Sequence, residues 1–97
     1  RHLDISGTYV SELSFASNMP LSTLDISGTR ITTSSLRPLR NSQVENLKLA
    51  NTKVDDGAVG LLSNLNQLKL LDIRGTHITA TGISALRRSM PTCVITH

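Results

Sequence analysis

Apolar residues return in the same local arrangement four times along the chain. The stretches LDISGTYV from Leu3 to Val10, LDISGTRI from Leu24 to Ile31, LKLANTKV from Leu47 to Val54 and LDIRGTHI from Leu71 to Ile78 align without gaps. Their starts lie 21, 23 and 24 residues apart. An apolar residue precedes three of them by three places: Leu21, Val44 and Leu68. Beyond each stretch the spacing is again shared. Ile31, Leu36 and Leu39 are matched by Val54, Val59 and Leu62, and then by Ile78, Ile83 and Leu86. The first unit is shorter, with Phe15 in the place of Leu36 and Asn18 in the place of Leu39. Self-similarity at a fixed period of this length marks a repeat architecture.

The pattern predicts a strand at each L-x-L, because alternate side chains point to opposite faces. Leu3 and Ile5, Leu24 and Ile26, Leu47 and Leu49, and Leu71 and Ile73 would all face inward. One such strand cannot bury its apolar side alone, so the units must stack into a parallel sheet. Gly7, Gly28, Asn51 and Gly75 come after the strands, where a sharp turn asks for a residue that tolerates positive φ. Thr8, Thr29, Thr52 and Thr76 come next, each placed to bond loop backbone of its own or a neighbouring unit. Asp55 and Thr79 are expected N-caps of short return helices, Pro38 is tolerated near a helix start, and the first two returns are expected to be irregular or 3₁₀. Pro91 ends the last helix, and 92–97 would add a closing strand. Either Cys93 and Ile95 or Val94 could face inward there.

The pattern resembles the leucine-rich repeat, L-x-x-L-x-L-x-x-N/C-x-L, over nearly the whole chain. Threonine replaces the usual Asn or Cys in every unit, as in the L-x-L-x-x-T-x-I variants of bacterial and protozoan repeat proteins. The resemblance implies an α/β solenoid, a right-handed superhelix with a parallel sheet on its concave side and short helices or irregular returns on the convex side. It would be one domain over 1–97, with units 1–20, 21–43, 44–67 and 68–91 and a capping strand over 92–97. Leu3 to Ser6 would be left as an open sheet edge, so a longer natural chain, of which this is a C-terminal part, is expected.

Composition adds little chemistry. Hydrophobic residues make up 38% of 97 residues, but Tyr9 and Phe15 are the only aromatic ones. A core of Leu, Ile and Val fits many small, similar layers. The net charge of +3 is dispersed, without the dense basic stripe of a dedicated nucleic-acid binder. Cys93 is single and no Asn-x-Ser/Thr sequon occurs, so an intracellular, cytoplasmic setting is expected. No apolar stretch reaches the roughly 20 residues of a membrane span, so no membrane partner is expected.

Two surfaces are candidates for binding. Outward side chains of the strands would form three columns: His2, Thr23, Asn46 and Leu70; Asp4, Asp25, Lys48 and Asp72; Ser6, Ser27, Ala50 and Arg74. Thr23, Asp25, Ser27, Asn46, Lys48, Leu70, Asp72 and Arg74 are the expected partner-binding set on the concave face, with a net acidic row open to a partner cation. The competing reading is a solvated charged face. A second row, Tyr9, Arg30, Lys53 and His77, would be a basic ribbon suited to RNA or another polyanion, with Arg74 able to join it. Arg37, Arg40, Arg87 and Arg88 fall on the returns and read as ordinary surface. Catalysis is not expected: His2, Asp4 and Ser6 sit in line at about 6.6 Å between alternate residues, with no oxyanion hole. No metal or cofactor is expected, since Asp55 and Asp56 suit a helix start and Cys93 and His97 lack a second ligand pair. A protein-interaction module is the leading reading. The polyanion contact is one alternative, and the recruiting part of a larger enzyme such as a ubiquitin ligase is another.

Overall fold

Each L-x-L stretch forms one short strand in the computed structural model, which describes residues 1–97. The strands are β1 (His2–Asp4), β2 (Thr23–Asp25), β3 (Asn46–Lys48), β4 (Leu70–Asp72) and β5 (Val94–Thr96). They make a single sheet in chain order, parallel throughout. The register sets Leu3, Leu24, Leu47, Leu71 and Ile95 side by side. Ile95 therefore continues the inward column, and Val94 is 61% exposed, which decides the direction of β5. The chain is an α/β protein with an all-parallel five-stranded sheet and a few short helices.

The turns behave as the residue types require. Gly7, Gly28 and Gly75 have φ of 71°, 67° and 69°, and Asn51 reaches 59°. Backbone bonds then tie each turn to the next unit, Gly7 N–H to Ser27 O at 2.9 Å, Gly28 N–H to Ala50 O at 2.8 Å and Asn51 N–H to Arg74 O at 2.7 Å. The four threonine hydroxyls each donate to a carbonyl three residues back, those of Ile5, Ile26, Leu49 and Ile73, all at 2.7 Å. All four bonds stay within the unit. These hydroxyls are spent on their own unit's carbonyls, so backbone bonds ladder the turns together.

The returns grow more helical along the chain. The first is one 3₁₀ turn, Ser14–Ala16, and the second a 3₁₀ run, Thr33–Leu39. The third passes from a 3₁₀ turn at Asp56–Ala58 into α1 (Val59–Ser63), and the fourth is α2 (Ala80–Ser89), which ends before Met90 and Pro91. A 3₁₀ helix rises about 2.0 Å per residue against about 1.5 Å for an α-helix. Shorter units cross the same layer with fewer residues by using the more extended form. Pro38 stands late in the 3₁₀ run, not near its start, and the Arg40 N–H resumes the pattern onto Arg37 O at 3.1 Å.

The core lies between the sheet and the returns as one continuous apolar cluster from Leu13 to Met90. Phe15 departs from expectation. It is 47% exposed, while Leu13 and Ala16 are buried in its stead. Residues three apart eclipse in a 3₁₀ turn, so Leu13 and Ala16 point inward together and Phe15 is swung out. Val59 and Ile83 are half-buried, and their neighbours Ala58 and Gly82 take the fully buried places. Two staples join the return starts. The Asp55 N–H donates to Thr33 Oγ1 at 2.9 Å while the Thr33 hydroxyl donates to Asp55 Oδ1 at 2.6 Å. Asp56 repeats the device one layer on, accepting the Thr79 N–H at 2.8 Å. Asp55 also caps its own turn by accepting from Gly57 N–H at 3.0 Å.

Candidate binding surfaces

The sheet register sets His2, Thr23, Asn46, Leu70 and Val94 in one outward row and Asp4, Asp25, Lys48, Asp72 and Thr96 in the next but one. Asn46 Nδ2 donates to Thr23 Oγ1 at 3.2 Å, so neighbouring strands hold these two side chains in place. Leu70 is half-buried beside the exposed Val94, an apolar pair at one end of the row. In the third row Ser6 and Arg74 are exposed, Ser27 is half-buried and Ala50 is buried.

The recurring aspartate has a local task. Asp4 Oδ1 accepts the Ser6 N–H at 2.9 Å and Asp25 Oδ1 accepts the Ser27 N–H at 3.0 Å. Asp72 Oδ1 accepts the Arg74 N–H at 3.1 Å. Each carboxylate thus ties down the backbone just before the positive-φ turn, as short Asx bonds do. The Ser6 hydroxyl also donates to Asp4, and this with the Ser6 N–H holds the Asp4 carboxyl below its usual value.

Asp72 differs from the expected open anion. It is 7% exposed and lies under Arg74, whose Nε and Nη2 donate to its two oxygens at 3.0 and 2.8 Å. This guanidinium fork is the main cause of its lowered pKa. Arg74 therefore belongs to Asp72 and does not join the Arg30 row. The accessible charges of the middle row are Asp4, Asp25 and Lys48, since Arg74 offsets Asp72, so the face is mixed and keeps one net negative charge. Lys48 stands in no ion pair, since the two pairs of the chain are Lys69 with Glu45 and Arg74 with Asp72. Its charge nonetheless helps lower both Asp4 and Asp72.

The second row is continuous. Backbone bonds from Arg30 N–H to Val10 O, Lys53 N–H to Ile31 O and His77 N–H to Val54 O keep successive units in step. Tyr9, Arg30, Lys53 and His77 are all exposed, and the Arg30 guanidinium lies 4.5 Å from the centre of the Tyr9 ring. Asp55 stands close enough to His77 to feel its charge, although the Thr33 hydroxyl and the Gly57 N–H are the larger causes of its lowered pKa.

No protein-family model matches the chain, and no curated protein matches it either. The functional reading therefore rests on the residues themselves. The Ser6 hydroxyl is directed at Asp4, and no group of three or more His, Cys, Asp or Glu side chains converges as a metal site would need. No helix is long and apolar enough to cross a membrane. Cys93 is half-buried, and burial raises its thiol pKa. Arg37 and Arg40, read from the sequence as ordinary surface, line one cleft together. Arg87 instead meets His97 at the far end.

Proposed function

We propose that this chain is a right-handed leucine-rich-repeat solenoid whose outward sheet face is concave and holds another protein. The observation that carries this reading is the row of outward side chains fixed at strand spacing, about 4.8 Å, by a register that does not slip across five strands. Rigid elements present binding groups without an ordering cost on association. The half-buried Leu70 and the exposed Val94 supply an apolar anchor, and Thr23, Asp25, Asn46, Lys48 and Arg74 supply a polar surround. The partner surface that fits is an apolar side chain flanked by a carboxylate for Lys48. Holding, not catalysis, is the proposed task. A role as the recruiting part of a larger enzyme rests on the family resemblance alone.

The reading is tested by capture from the source cell with the full-length protein, then by titration of the purified partner. The triple variant Asp25→Lys, Lys48→Glu, Leu70→Arg is expected to weaken binding by about a hundredfold, since central anchors dominate interface energies. Its thermal unfolding should stay close to that of the parent. Unchanged affinity would remove the outer face from consideration.

One observation favours a second reading. In the Tyr9, Arg30, Lys53, His77 row the cations stand in no ion pair and one stacks on an aromatic ring, a combination that suits single-stranded RNA. That reading requires affinity to fall steeply with salt, and a flat salt response removes it.

A further inference from the structure

The 3₁₀ form of the second return has a chemical consequence on the side away from the sheet. Residues three apart eclipse in such a run, so Leu36 and Leu39 stack inward, both buried, while Arg37 and Arg40 stack outward, both exposed. Pro38 lies between the arginines and fixes its own φ, which restrains the segment that carries them. Toward the neighbouring return, Arg37, Pro38 and Arg40 line an open cleft of about 470 Å³ with Ser14, Ser17, Asn18 and Asn41. No carboxylate lines it.

The surrounding acids are committed elsewhere. Neither arginine stands in an ion pair, since the two pairs of the chain involve Lys69 and Arg74. Glu12 accepts the Ser14 N–H at 2.8 Å and the Ser14 hydroxyl, outside the lining. Asp55 lies in an adjoining cleft that Arg37 also borders, and is held by Thr33 and Gly57. The Ser17 hydroxyl is directed at Ser14 O. Two like charges bordering one cleft without an anion repel, and an oxyanion between them removes that repulsion. Guanidinium groups match tetrahedral oxyanions through paired N–H donors, and flanking amides add neutral ones.

We propose that this cleft between the first and second returns binds a phosphoryl oxyanion, the group shared by inorganic phosphate and small phosphomonoesters. Arg37 and Arg40 are its charged ligands, and Asn18 and Asn41 its neutral donors. The site is independent of the outer sheet face and stands whether or not a protein docks there.

The test is an amide-shift titration of the ¹⁵N-labelled chain at low ionic strength, with inorganic phosphate in one arm and O-phosphoserine in the other. Saturable shifts confined to residues 14–18 and 37–41 are expected. Saturation in both arms identifies the free ion as sufficient, and saturation by O-phosphoserine alone identifies the ester. Arg37→Gln with Arg40→Gln should weaken binding by about tenfold or more. Arg87→Gln with Arg88→Gln removes the same charge elsewhere and should change it by less than about twofold. Equal weakening in the two double variants, or shifts that never saturate and spread over all the arginines, overturns the proposal. Arg37→Lys with Arg40→Lys keeps the charge without the fork and should bind at an intermediate level.

Discussion

Asn51 occupies a turn position that glycine holds in the other three units, and it does so at a φ of 59°. The packing around it makes Gly75 the stricter glycine. A Cβ on Gly75 would lie 2.2 Å from Asn51 Oδ1, whereas one on Gly28 would meet nothing closer than 3.6 Å. Both positions have φ near 70°, where an ordinary L-residue is disfavoured by roughly 1–2 kcal/mol. Gly75→Ala should therefore destabilise more than Gly28→Ala in urea unfolding, and Asn51→Gly should abolish the difference. Equal costs in the two alanine variants would show that the close approach is harmless. Thr52 makes a second point at this scale. Its hydroxyl is the donor to the Leu49 carbonyl, and Thr52 is 3% exposed. Thr52→Val should cost about 1–2 kcal/mol by leaving a buried carbonyl unpaired. Thr8→Val should cost close to nothing, because water reaches the exposed Thr8 site.

Within each element, a short strand depends on the turn at its C-terminal end. β4 ends on Asp72, which holds the Arg74 N–H before the turn and is covered by the Arg74 side chain. A partly buried ion pair of this kind carries pH sensitivity. The Asp72 carboxyl has a folded pKa below the ordinary 3.8, so its contribution is fully present above that value. It is lost as pH falls through the lowered folded value. Asp4 and Asp55 shift in the same direction. Stability is therefore expected to be level from neutral pH down to about 5 and to decline below 3.8. In Asp72→Asn that acid-side decline should be shallower. Denaturant midpoints measured from about pH 2 to 7 decide the matter, and identical acid limbs for parent and variant would assign the sensitivity to other groups.

For the molecule as a whole, burial is uneven along the stack. Leu47 and Leu49 are fully buried, whereas Leu3 and Ile5, which have only one neighbouring strand, are half-buried. Within these 97 residues, opening should therefore begin at the edge strands before β2 and β3. Native-state hydrogen exchange is expected to be slowest at the N–H groups of Ile26 and Leu49, which donate to Lys48 O and Asp72 O across neighbouring strands. The Ile5 and Gly7 N–H groups, bonded by the same pattern one layer earlier, should exchange faster through local fraying. Uniform protection in all units would mean that the chain opens only as one body.

The sequence by itself determined the register and inward columns of the first four strands and the four turn positions. Alternation along a strand and tolerance of positive φ are local properties, readable from L-x-L and from Gly7, Gly28, Asn51 and Gly75 without knowing any neighbour. It also placed the members that those four strands give to the outward rows, and the Tyr9, Arg30, Lys53, His77 row. Only the tertiary structure decided which of those groups face solvent and which are taken. Asp72 is covered because Arg74 folds back over it, Phe15 is exposed because a short return closes as a 3₁₀ turn, and Ile95 faces inward because it pairs with Leu71. Arg37 and Arg40 line one cleft with Asn18 of the neighbouring unit because the second return closes as a 3₁₀ run. Such outcomes depend on the relative lengths of segments about one repeat apart, and a one-dimensional pattern carries no information about how two returns of unequal length settle against each other.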